Sequence, residues 1–72
     1  MMAEQNFLDR LIAEANELIL KVTALGLFIN SDKYFNISNV QQDLIGKQFK
    51  AMTQYLGYLQ DRIEDLQGVE KQ

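Results

Sequence analysis

Cysteine, histidine and proline are all absent from the 72 residues of this chain. Without cysteine there is no disulfide. Without cysteine or histidine a structural zinc site loses its usual ligands. Cys-His and Ser-His-Asp catalysis are excluded on the same ground, and no side chain has an ordinary pKa near 7. The absence of proline removes the commonest reason for a helix to break. A basic surplus is also missing, since ten acids stand against seven bases for a net charge of −3. This argues against a general binder of DNA or RNA polymers, although a local basic pocket for a small anion remains open. No apolar run approaches the roughly 20 residues of a membrane span. The opening residues, MMAEQNF, carry no basic segment of the secretory type. The expectation is a soluble protein acting inside a cell, without membrane contact and without a cofactor.

What is present is helical rhythm. Leu8, Leu11, Ala15, Leu18, Val22, Leu25 and Ile29 step alternately by three and four. That is the seam of an α-helix packing on another helix. Ile12, Ile19, Leu20 and Leu27 lie beside or across from this seam and ask for further partners. Residues 30–37 break the rhythm with the turn formers Asn30, Ser31, Asp32 and Asn36. Tyr34 and Phe35 in this joint are expected to plug the end of the molecule. Ser38 and Gln41 then fit a capping box. A second seam follows at Ile45, Phe49, Met52, Leu56, Leu59, Ile63 and Leu66.

The reading is a single all-α domain over residues 1–72. A helix covers about residues 4–29, a joint 30–38, a second helix about 39–67 and a polar tail 68–72. Helices this long, joined by a short connection, form an antiparallel hairpin, with room for a short extra helix at the N-terminus or joint. Gly46 and Gly57 fall inside a helix, where close helix approach is the expected reason; Gly26 either permits close packing or marks where its helix begins to loosen, and Gly68 is a candidate C-cap. A chain of this size buries only about 60 % of its unfolded surface. With no disulfide or metal to staple it, association into a helical homo-oligomer is the remaining device.

A family resemblance rests on residues 25–63. Its elements are L-x-x-F-I at Leu25, Phe28 and Ile29, the pair Tyr34 and Phe35, and D-L-I at Asp43 to Ile45. Q-x-x-A-M-x-x-Y follows at Gln48, Ala51, Met52 and Tyr55, and L-x-x-R-I at Leu59, Arg62 and Ile63. The combination resembles the small phage anti-CBASS proteins, cyclic-oligonucleotide sponges whose helical hairpin domain is shared with anti-Thoeris proteins. The resemblance implies compact helical hexamers in the cytoplasm of the infected bacterium. It implies capture, without cleavage, of cyclic dinucleotides between protomers and of cyclic trinucleotides near a threefold axis.

It also implies site residues. Lys21, four residues before Leu25, occupies the place of a phosphate-contacting lysine in the cyclic dinucleotide site. Phe7 is the candidate for the aromatic that stacks on a base there, although it lacks a hydroxyl. Arg62 matches the arginine of the cyclic trinucleotide site. Each also has a plain reading: a solvated lysine, an apolar flank of the core, and an ion pair with Asp61, Asp65 or a neighbouring chain. Gln48 and Tyr55 match the pattern or simply order the helix interface. Glu14, Glu17, Glu64 and Asp65 read as solvated faces, with Glu14 and Glu17 placed to tune Lys21. Phe7 and Lys21 share a helix face about 21 Å apart, so one small nucleotide would meet both only across two antiparallel copies. The competing function is a structural hairpin module that binds itself or a host protein. A phosphodiesterase ranks last, because no metal cluster or tuned base is apparent.

Overall fold

The computed structural model describes the backbone of residues 2–68 and the side chains of residues 7–68. Helix α1 runs over Met2–Ile29 and helix α2 over Asn39–Leu66, with a short 3-10 helix at Asp32–Asn36 between them. The expected polar tail beyond residue 68 lies outside the described residues. The two long helices pack as a hairpin.

The end of α1 and both ends of α2 are closed by local hydrogen bonds. At the end of α1, Asn30 donates from its backbone N–H and from Nδ2 to the Gly26 carbonyl, at 3.2 and 2.9 Å. Ser31 donates its backbone N–H and its hydroxyl to the Phe28 carbonyl. These bonds satisfy carbonyls that the helix itself leaves open. At the start of α2, the Ser38 hydroxyl accepts the Gln41 backbone N–H at 3.1 Å, which is the N-cap half of a capping box. Gly68 follows α2 with φ of +77°, and its N–H reaches the Asp65 carbonyl at 3.1 Å. Glycine adopts that left-handed backbone without a Cβ clash.

The joint is held by a reciprocal clamp. Tyr34 donates its hydroxyl to the Gln42 carbonyl, and Gln42 Nε2 donates back to the carbonyls of Tyr34 and Ile37. Tyr34 also meets Phe28 edge to face, with ring centroids 6.2 Å apart. Phe35 departs from expectation. It contacts the Tyr34 ring but is 73 % exposed, so Tyr34 alone plugs the end of the hairpin. A five-residue 3-10 helix places adjacent side chains about 120° apart, and one of an adjacent pair must therefore face water.

The core is thin. Leu11, Ala15, Leu18 and Leu59 are buried, and Val22, Met52, Leu56 and Ile63 pack half-buried against them. All of these are seam positions. Ile19, Leu20, Leu27, Leu44 and Tyr58 stay exposed, because two helices bury one stripe each and, among the described residues, no further long helix covers the rest. The radius of gyration is 15.9 Å, against roughly 11 Å for a globular domain of this length. Gly26 does permit a close approach: a Cβ there would lie 3.3 Å from Phe49 Cε1. Gly46 and Gly57 do not meet that expectation, since a Cβ at either would find nothing within 4 Å in the chain.

Candidate functional site

The candidate residues line one edge of the hairpin in three layers. Phe7, Glu14 and Lys21 recur every seven residues on α1. Arg62, Tyr55 and Gln48 recur every seven on α2, in the opposite direction. In an antiparallel pair, a step of seven forward on one helix meets a step of seven back on the other. Successive layers are therefore about 10 Å apart.

In the first layer the Arg62 guanidinium carbon sits 5.5 Å from the centroid of the Phe7 ring, within range of a cation–π interaction. Both residues line a shallow recess of about 320 Å3 with Asp61, Asp65 and Leu66. Two carboxylates share this recess with one guanidinium, so its charge is mixed. In the middle layer the Tyr55 hydroxyl donates to Glu14 Oε2. That bond holds the phenol protonated and pushes its pKa above the ordinary tyrosine value. Desolvation and the Glu14 charge act in the same direction, and the nearby Arg62 charge opposes them. In the third layer Lys21 and Gln48 line a second open recess, of about 360 Å3, with Ala24, Leu25, Phe28 and Met52. Here an ammonium stands among apolar groups and an amide whose Nε2 lies 3.7 Å from Met52 Sδ. A cation in such surroundings is available to a phosphate.

Within one chain the structure thus brings Phe7 to Arg62 and separates both from Lys21. In the sequence Phe7 shares a helix face with Lys21, and the family resemblance assigns Phe7 and Arg62 to different ligands. It missed the Tyr55–Glu14 bond, although the shared spacing of seven on the two helices carried the signal. Among the described residues no group of three or more acidic, histidine or cysteine side chains is placed to hold a metal ion. No described helix is long and apolar enough to cross a membrane.

The fold and this edge define a small helical hairpin with basic side chains spaced along one face and apolar surface left uncovered. A family model named Sequestin matches residues 5–65. The chain belongs to this family, the phage anti-CBASS sponge family that its motifs resemble. An uncharacterised 7.5 kDa protein from the denB–rIIB intergenic region of Enterobacteria phage T4 is 39% identical over 54 residues. The shared segment covers 75% of this chain and 84% of the phage T4 protein. No solved structure matches the chain.

Proposed function

We propose that the chain binds and sequesters bacterial cyclic oligonucleotide messengers without cleaving them, and so blocks activation of CBASS effectors. Membership of the Sequestin family carries this reading. The layered edge supports it, because it offers one basic group at each end for phosphates. Lys21 and Phe7 serve cyclic dinucleotides. Arg62 serves cyclic trinucleotides, where several copies converge on the ring and set their guanidiniums against its phosphates. Both recesses are open and shallow, so each site is completed by another copy of the chain. A compact homo-oligomer, with a hexamer favoured, supplies those copies and covers Leu20, Leu27 and Tyr58. The protein acts in the cytoplasm of the infected bacterium. DNA and RNA polymers are not its ligands, given the net charge of −3.

Calorimetry with a panel of cyclic dinucleotides and trinucleotides tests the proposal. Tight binding of at least one ring is expected, and no binding to any at micromolar protein would overturn it. Chromatography of the ligand recovered after denaturation should return it intact, whereas a linear product would mark an enzyme. Lys21→Ala should impair dinucleotides and Arg62→Ala trinucleotides, with the assembly unchanged. Equal loss of both classes in either variant would argue against two sites. The exposed apolar positions also suit a purely structural module that assembles with itself or a host protein. That reading expects assembly without any nucleotide in the calorimeter.

A further inference from the structure

The Phe7–Arg62 contact crosses from α1 to α2 and joins two residues that sequence reasoning assigned to different ligands. Arg62 has an alternative on its own helix. Asp65 lies three residues further on, a spacing at which opposite charges on one helix face each other. A guanidinium drawn to Asp65 would lie along α2. Over the Phe7 ring it instead reaches across the hairpin, 5.5 Å from the ring centroid. Guanidinium planes stack on aromatic faces while keeping their N–H groups directed outward in a fixed fork. Edges left uncovered by the ring can meet phosphate oxygens, in competition with the Asp61 and Asp65 carboxylates that line the same recess. The ring has a second face, and Phe7 is 45% exposed. A base can therefore stack on one side while the arginine occupies the other.

We infer that Phe7 is a positioning residue for Arg62: it holds the guanidinium off its own helix and presents it to phosphate. The binding consequence rests on the proposed reading of Arg62 as a phosphate ligand, whereas the positioning contact itself does not. Phe7 then acts in both ligand sites, directly in one and through Arg62 in the other. Loss of the ring weakens trinucleotides as well as dinucleotides, although no part of the ring touches the trinucleotide.

Two measurements on the full chain test this. The first is the proton–nitrogen NMR signal of the Arg62 Nε–Hε group without ligand. In the wild type and in Phe7→Trp it should be shifted to high field by the ring current, and in Phe7→Leu it should return to an ordinary position. An unshifted wild-type signal would overturn the inference, and this reading, taken on the wild type, needs no variant to survive folding. The second is calorimetry with cyclic triadenylate, with sedimentation to check that assembly is unchanged. Phe7→Leu should lose roughly twofold to fivefold in affinity per arginine engaged, from about 0.5–1 kcal/mol for an exposed cation–π contact. Phe7→Trp should restore it, and Arg62→Ala should lose more than Phe7→Leu. Wild-type affinity in Phe7→Leu beside a clear loss in Arg62→Ala would overturn the positioning role. If the wild type ignores the trinucleotide, it is the reading of Arg62 as a ligand that fails, and the arginine signal still decides the contact.

Discussion

Replacing Gly46 or Gly57 by alanine adds a Cβ that meets no heavy atom within 4 Å in this chain. The same change at Gly26 drives a Cβ to 3.3 Å from Cε1 and 3.7 Å from Cζ of Phe49. Alanine gains in all three cases, because glycine inside a helix loses more backbone freedom on folding. That gain is about 0.5–1 kcal/mol. At Gly46 and Gly57 nothing opposes it, so each variant should be more stable by that amount. For a chain this short the thermal midpoint should rise by roughly 2–8 °C. At Gly26 the Phe49 ring must move, and overpacking typically costs about 1–3 kcal/mol. Gly26→Ala should therefore be less stable than Gly46→Ala, by up to about 1–3 kcal/mol where the ring cannot give. Far-ultraviolet circular dichroism under heat and urea measures the series, at one fixed protein concentration because association shifts the midpoint. A fall in midpoint for Gly46→Ala or Gly57→Ala as large as that for Gly26→Ala would refute the reasoning. It would mean that contacts outside the single hairpin, from a second chain, press on those glycines.

Three further outcomes follow from the same geometry. Ser38→Ala removes the acceptor for the Gln41 N–H and should cost about 1 kcal/mol, read as a lower urea midpoint, with an unchanged midpoint counting against the cap. Leu59→Ala empties the most buried position, 1 % exposed, and should cost about 2–5 kcal/mol, whereas Leu20→Ala at 71 % exposure should change dilute-chain stability by less than about 0.5 kcal/mol. An ultraviolet titration should show Tyr55 ionising later than an ordinary phenol, since Glu14 holds its proton. The raised folded pKa gives a stabilisation present below the unfolded value of about 10 and lost as pH rises through the folded value. Glu14→Ala should abolish the delay, and an identical curve in that variant would dismiss the bond.

Helix periodicity made the hairpin legible because burial acts on every third or fourth residue and writes itself into composition. Seam positions Leu11, Ala15, Leu18 and Leu59 are the buried ones. The caps were legible too, since Ser38 and Gly68 satisfy local backbone demands within a few residues. Less legible were features that depend on which side chains meet across the hairpin. Phe35 looked as buried as Tyr34 by type, and only the direction of the 3-10 turn separates them. Gln42 gave no signal of its clamp on Tyr34, because its bonds go to main-chain carbonyls that no sequence pattern marks. The glycines divided for the same reason: Gly26 faces Phe49, while Gly46 and Gly57 face open space.

Under the proposed function, the spacing of the edge constrains how so small a chain would hold a ring of phosphates. Lys21 and Arg62 stand two layers apart, about 21 Å along the axis, with the Glu14 carboxylate between them. A compact ring is too short to touch both on one hairpin, and a longer polyanion laid along the edge would cross Glu14. Attraction at 20 Å is also largely lost, since the Debye length at physiological salt is about 8 Å. The two cations therefore stand as separate points and not as one basic groove. For a ring with two or three phosphates, neutralising each one requires as many copies of the point as the ring has charges. Rotational symmetry in the proposed oligomer would supply those copies from a single gene product at no cost in chain length. On the proposed reading, the uncovered apolar stripe and the separated charges answer one requirement: the surface that would bring copies together would also set their cations around a common axis.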